Sequence, residues 1–241
     1  MEYKKIAICV PTYNRRKFLP LLLYNIKNQT YPHDKLTLII DDDGTEPLIE
    51  NTQEVQKDIE PIKLVYLRNK IKRFVGVKRN NLVKEAKKHV GKKGICVNMD
   101  DDDLYCKDYI LFSYNALING NFGIVGSNHM LFTYPQHNYQ MTCIMCQHLR
   151  QIHEATHMYK IKYFDTMGGY SKLNPKTHGG EGAKLIDGAN EKLIGNIICF
   201  MVCIAHNNNT IDKQQFWQDK LKIDQVLEEE PQKIINNCLG I

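Results

Sequence analysis

Residues 94–105 read GICVNMDDDDLY, a short apolar run from Ile95 to Met99 that ends directly on Asp100, Asp101, Asp102 and Asp103. A run of this length, punctuated by Gly91 and Gly94, predicts a buried strand over 94–99. The same arrangement occurs upstream, where the run Leu36 to Ile40 stops at Asp41, Asp42, Asp43 and Gly44. Ile6 to Val10 predicts an opening strand, and the recurrence of Phe18, Leu22 and Ile26 predicts a helix between it and the second strand. Ile62 to Leu67 predicts a third strand, followed by a helix from about Gly76 to His89. Strand, helix, strand in succession implies parallel βαβ units. Ligands of open α/β sheets bind beyond the carboxyl ends of the strands, and both acidic runs stand at such ends.

Beyond Leu104 the alternation loosens. A helix is expected near Lys107 to Ile118, a strand over Phe122 to Val125 and antiparallel pieces up to Tyr163. A glycine-rich loop should follow from Met167 to Gly188, then a last strand from Asn196 to Ala205 and an outer helix from Lys213 to Leu227. No repeat or low-complexity linker marks a boundary. A single domain over residues 1–241 is therefore expected, with parts at about 1–103, 104–211 and 212–241.

Composition excludes several classes. The 241 residues are 43% hydrophobic and 24% charged, as in ordinary globular proteins. The longest apolar stretch, Ile197 to Ala205, is far short of the roughly 18 residues that span a bilayer, so no integral membrane association is expected. Five apolar residues before Pro11 are too few for a secretory leader, which predicts a cytoplasmic protein. Eight cysteines are too sparse for a disulfide framework. The net charge of +5 is spread over 32 basic and 27 acidic residues, and neither a basic run nor an aromatic stacking pattern points to nucleic acid.

Four adjacent carboxylates repel one another unless a cation neutralises them. Oxygen donors of this type favour magnesium, calcium or manganese, and magnesium and manganese are commonly shared with substrate phosphates. A second motif competes. His153-Glu154-Ala155-Thr156-His157 is a formal H-E-x-x-H, which on a helix would hold zinc with the glutamate as general base of a metallopeptidase. Its flanks Thr156, Tyr159, Ile161 and Tyr163 favour a strand instead, with Glu154 on a structural or solvent-facing surface. Cys143 and Cys146 with His148 and His153 form a weaker zinc pattern.

The ordered set ICVPTYNRRKFLPLLLYNIKNQTYP, LTLIIDDDGTE, GVKRNNLVKEA and GICVNMDDDDLY resembles GT-A glycosyltransferases, especially family 2, over about residues 4–110. The resemblance implies a Rossmann-like α/β domain: a mostly parallel central sheet flanked by helices, plus a small antiparallel sheet on the acceptor side. Residues 1–103 would then bind a nucleotide-sugar and 104–211 the acceptor. It implies a metal-dependent transferase using a UDP-sugar, with UDP-glucose as first expectation and manganese, or magnesium, on the diphosphate. Pro11, Thr12 and Tyr13 would lie on the nucleoside, Asp43 on the uracil, and Arg79 and Asp101 at the nucleotide. Asp100 and Asp102 fit the Asp-X-Asp spacing, with Asp102 the direct ligand, Asp103 behind it and His206 a further ligand. Glu181 matches the acceptor-side base, with Gly182 where an acid commonly follows and Asp187 as fallback. The hydroxyl acceptor stays open among glycans, lipid head groups and protein side chains, such as hydroxylysine in a collagen-like chain. A non-catalytic sugar-nucleotide-binding or carbohydrate-binding domain is the remaining alternative.

Overall fold

The structure, a computed structural model, describes residues 2–173, 180–197, 201–207, 209 and 211–241, with Leu149 described in its backbone alone. Strand β1 (Ile6–Thr12) is buried on nearly its whole length, as is β2 (Leu36–Asp42). Between them runs helix α1 (Leu19–Lys27), with Pro20 in its first turn, where a proline costs no hydrogen bond. It buries Leu21, Leu22 and Ile26, of which the spacing singled out Leu22 and Ile26, while Phe18 is buried in the 3-10 turn just before it. Helix α2 (Thr52–Asp58), capped by the Asn51 side chain, leads to β3 (Lys63–Arg68). Helix α3 (Val75–Val90) ends at Gly91 in a positive-φ conformation and returns the chain to β4 (Ile95–Asn98).

Strand β5 (Asp103–Tyr105) leaves this sheet for a second one. Helix α4 (Tyr109–Asn119), β6 (Ile124–Gly126), β7 (His129–Tyr134), β8 (Gln140–Met145), β9 (Met158–Lys160) and α5 (Ile161–Met167) follow. Helix α6 (Ala183–Asp187), β10 (Ile194–Asn196), β11 (Met201–Ile204), β12 (Lys222–Val226) and α7 (Glu229–Leu239) complete the described elements. The large sheet has the order β10-β6-β9-β4-β1-β2-β3, parallel except where β9 runs antiparallel between β4 and β6. The smaller sheet, β12-β8-β7-β11-β5, is antiparallel except for β7 beside β11. The expected α/β architecture with a mostly parallel sheet and a smaller, mostly antiparallel one is therefore present. Asp100 to Asp102 occupy the passage between the sheets, so the acids stand where the chain changes layer.

Three sequence expectations are corrected. Residues 213–227 form no long helix: Lys213–Phe216 and Asp219–Leu221 are single 3-10 turns, and Lys222–Val226 pairs with β8. Tertiary contacts override local preference here, because Trp217 stacks on His137 at 4.0 Å between ring centroids and Lys213 reaches the buried Asp103. The C-terminal helix lies later, in α7, closed by Gly240 at positive φ. The strand expected up to Tyr163 stops at Lys160, and Ile161–Met167 is helical, burying Ile161, Tyr163 and Phe164. The last expected strand, 196–205, is resolved into β10 and β11 in different sheets, with residues 198–200 outside the described residues. Among the described residues no helix is long and apolar enough to cross a membrane.

Candidate active site

The parallel register sets Pro11 beside Asp41 and Thr12 beside Asp42, so the ends of β1 and β2 form one floor. The three acids of β2 then diverge. Asp42 is buried, and its carboxylate accepts the N–H groups of Gly44 and Leu48, each at 2.8 Å, and the Tyr66 hydroxyl, shaping the turn after the strand. Asp43 accepts from Lys78 Nζ at 2.6 Å and from the Arg73 N–H at 2.7 Å. Asp41 accepts from Asn69 at 2.9 Å and from Arg73, while its second oxygen is buried without a partner. Burial raises the Asp41 carboxyl above the usual range, with the Arg73 charge acting against it. Lys78, from α3, also donates to the Thr12 carbonyl, and burial pushes its ammonium down. Tyr13 is half-buried, with Lys72 Nζ 4.0 Å from its ring centre.

The four acids after β4 divide their work more sharply. Asp101 accepts the Thr12 hydroxyl, which joins the ends of β1 and β4; burial and then the neighbouring Asp102 charge push its carboxyl well up. Asp103 points away from the passage, accepting the Ile204 N–H at 3.1 Å and Lys213 Nζ at 2.7 Å. Burial raises its carboxyl despite the Lys213 charge. Asp102 meets His206 Nε2 and Arg15 Nη2, each at 3.2 Å. Burial would raise Asp102, but the His206 hydrogen bond and the Lys213 and Arg15 charges outweigh it and hold the carboxyl well below the usual range. Asp100 pairs with Arg79 Nη2 at 3.0 Å.

Asp102 and His206 are thus an oxygen and a nitrogen donor side by side; the carboxylate suits manganese or magnesium, and the imidazole is compatible with manganese though less well suited to it. Asn209 also meets His206 Nε2, at 2.9 Å, and the imidazole ring packs on Phe18 at 4.7 Å between centroids. Among the described residues no group of three or more His, Cys, Asp or Glu side chains is assembled for a metal. The donor set therefore fits a cation that takes one or two protein ligands and completes its shell with substrate oxygens and water.

Glu181 lies next to this cluster, although 81 residues separate it from Asp100 in sequence. Arg79, fully buried, donates from Nε to Glu181 at 2.9 Å and from Nη2 to Asp100, while its Nη1 has no partner. Gly76 permits this approach: a Cβ there would sit 1.8 Å from the Ser171 carbonyl oxygen and 3.2 Å from Glu181 Cβ. Ser171 in turn donates its N–H to the Glu181 carbonyl at 2.9 Å. Asp187, by contrast, is exposed at the end of α6, where its carbonyl accepts from Arg150 at 2.6 Å. Gly179 and the rest of 174–179 lie outside the described residues.

The H-E-x-x-H residues do not form a helix. Glu154–Thr156 is one 3-10 turn with extended His153 and His157 on either side. His153 Nδ1 accepts the Ala155 N–H at 3.2 Å, whereas His157 is buried between the Ile152 carbonyl and the Tyr170 hydroxyl. Burial pushes His157 down to about 3. The turn is held by Asn98 Nδ2, donating to the Glu154 carbonyl at 2.7 Å, and by the Tyr105 hydroxyl on the Ala155 carbonyl at 3.1 Å. The two imidazoles therefore do not share the helical face that the zinc motif requires. The side chain of Glu154 instead turns toward Gly180, Glu181 and Gly182.

Arg15, Arg73, Lys78 and Lys213 are the cations that sequence reading did not single out. Arg15 and Lys78 carried a signal, since each lies within a quoted segment at a strand end or helix start. Lys213, 110 residues from Asp103, carried none.

No curated protein matches the chain. Among solved structures, a mannosyltransferase from Pyrobaculum calidifontis in complex with GDP-Man and Mn2+ superposes with a TM-score of 0.60 at 19% identity, over 86% of this chain and 59% of that one. S. aureus TarS 1-349 in complex with UDP-GlcNAc gives 0.64 at 18% identity, over 85% of this chain and 60% of that one. The same TarS fragment with UDP gives 0.63 at 17% identity, over 83% and 60%. This chain thus spans about three-fifths of the length of these solved chains, and the similarity establishes the GT-A fold. The model of Glycosyl transferase family 2 matches residues 7–176, well over half of the sequence and including both acidic runs. The chain belongs to glycosyl transferase family 2.

Proposed function

We propose that this chain transfers a sugar from a nucleoside diphosphate donor, with UDP-glucose as the first UDP-sugar to test, to a hydroxyl on a glycan or protein acceptor. The observation that carries this reading is the convergence of Asp102 with His206 and of Arg79 with Asp100 and Glu181 at the passage between the sheets. Residues 1–103 form the nucleotide side and 104–211 the acceptor side, with 212–241 supplying β12 at the edge of the smaller sheet and helix α7. Pro11, Thr12, Tyr13 and Asp43 receive the nucleoside. Arg79 lies toward the diphosphate, with its Nη1 buried and without a protein partner.

Asp102 and His206 hold manganese, or magnesium, with Asp100 nearby. When bound, the ion supplies positive charge to the departing diphosphate. Asp101 binds the β1 end through Thr12 and so aligns nucleoside and diphosphate floors. Glu181 holds Arg79 from the acceptor side. The UDP preference is supported by the TarS complexes, while the mannosyltransferase complex makes GDP the natural control.

A thermal-shift panel of UDP, GDP, UDP-glucose, UDP-GlcNAc and GDP-mannose, each with and without manganese, tests the reading. A ligand at a hundred times its dissociation constant adds about 2.7 kcal/mol of stability. Manganese-dependent stabilisation by a UDP ligand is the expected result. Binding without any sugar release or transfer would leave a carbohydrate-binding or sugar-nucleotide-binding domain, and no binding would sink the proposal.

A further inference from the structure

We infer that the Glu154 carboxylate is the general base that accepts the proton of the incoming hydroxyl, lodged in a space kept open by the two glycines that flank Glu181. The inference rests on the transferase reading above. A Cβ on Gly180 would fall 2.1 Å from Glu154 Oε1, and one on Gly182 would fall 2.6 Å from Glu154 Cγ and 3.2 Å from Oε1. The carboxylate thus fills the volume that side chains at 180 and 182 would take. The Gly182 N–H points at its Oε1 from 3.3 Å.

Glu181 is committed elsewhere, in the ion pair with Arg79, whereas Glu154 has no ion pair among the described residues. Glu154 is half-buried. The charged groups acting on it are Glu181, His153 and Arg79, and the buried, neutral His157 ring borders the same space at Gly182. Burial and then the Glu181 charge raise the Glu154 carboxyl, against the opposite pull of His153 and Arg79. A raised carboxyl is better matched to proton removal near neutral pH, and two acids with different surroundings commonly divide their roles. The position is also fixed relative to the donor side: the Tyr105 hydroxyl that holds the Ala155 carbonyl accepts the Asp100 N–H at 2.8 Å.

In the proposed step the acceptor O–H proton passes to a Glu154 carboxylate oxygen as the hydroxyl oxygen forms its bond to the anomeric carbon. The bond from that carbon to the phosphate oxygen breaks, and its electron pair leaves with the nucleoside diphosphate. Glu154, now neutral, returns the proton to solvent. Direct displacement of this kind inverts the anomeric centre. Glu181 then acts as a positioning residue through Arg79.

The test measures nucleoside diphosphate release from UDP-glucose, UDP-GlcNAc and GDP-mannose with manganese, using water as acceptor, together with calorimetric UDP and GDP affinity. Glu154→Gln should lower release by roughly 10² to 10⁴-fold and abolish the acidic limb of its pH profile, while nucleotide affinity stays within about twofold of wild type. The paired variant E154A/G180D should recover at least about tenfold over E154A, because a carboxylate on residue 180 enters the space that the Glu154 side chain occupies. A merely structural Glu154 would show no such rescue. Full-rate release by Glu154→Gln, or parallel loss of affinity and rate, overturns the base assignment while leaving the transferase reading intact. So does a wild-type protein that binds nucleotide but releases none from any of the three donors. Failure of the wild type to bind either nucleotide overturns the transferase reading and this inference with it.

Discussion

Asp41 to Asp43 at the end of β2 and Asp100 to Asp103 after β4 are both aspartate runs closing a buried strand, yet their side chains serve different ends. In the first run Asp42 is consumed by two main-chain N–H groups and Tyr66, and Asp41 and Asp43 by cations from the segment after β3 and from α3. All of those partners lie within residues 44–78, so the run is neutralised within the first third of the chain. The second run draws its partners from the whole molecule: Thr12 and Arg15, Arg79, then Ile204, His206 and Lys213. A run satisfied locally shapes a loop. A run satisfied by distant elements becomes the junction on which two sheets meet.

The largest test of that contrast is Asp102→Ala. Sugar release should fall by at least about 10⁴-fold, which is roughly 5.5 kcal/mol of barrier at 1.36 kcal/mol per decade, with weaker manganese-dependent UDP binding. Initial rates and calorimetry check it, and wild-type-like turnover would break the distinction between the two runs. The second test removes a distant partner. Lys213→Met leaves buried Asp103 uncompensated and should cost roughly 3 to 5 kcal/mol by urea denaturation, with Asp103→Asn in the same chain restoring part of it.

Asp42→Ala should act on stability through the local turn, orphaning the Gly44 and Leu48 N–H groups and the Tyr66 hydroxyl for roughly 2 to 3 kcal/mol. A nucleotide affinity change larger than the stability loss would show that the first run is not purely local. The smallest effect concerns the turn at Glu154–Thr156. His157 is held neutral by burial, with its titration pushed down to about 3, whereas an unfolded histidine protonates near 6.5. The unfolded state therefore binds the proton first, and the His157 contribution is present above about pH 6.5 and lost as pH falls toward 3. Between pH 7 and 5 this removes roughly 1 to 2 kcal/mol, measurable as a flatter pH dependence of the denaturation midpoint in His157→Gln.

The alternation of apolar runs with helical spacing from Ile6 to Asn98 was enough to foresee four parallel strands and to set both acidic runs at their carboxyl ends. This half is legible because βαβ units are built from contacts close in sequence, and their periodicity survives in the residues themselves. The stretch from Lys213 to Leu227 misled the same reading, since its conformation follows from Trp217 on His137 and from pairing with β8.

The sequence by itself determined the family resemblance, the parallel half and the place of the acids, because strand ends and acidic runs are local features. Only the tertiary structure decided which aspartate faces Arg15 and His206, which one is buried against Lys213, and that Arg79 joins Asp100 to Glu181. It also turned Glu154 out of a zinc motif and into the space left by Gly180 and Gly182. These assignments depend on charge pairing and close approach between segments up to 110 residues apart, which no spacing along the chain encodes.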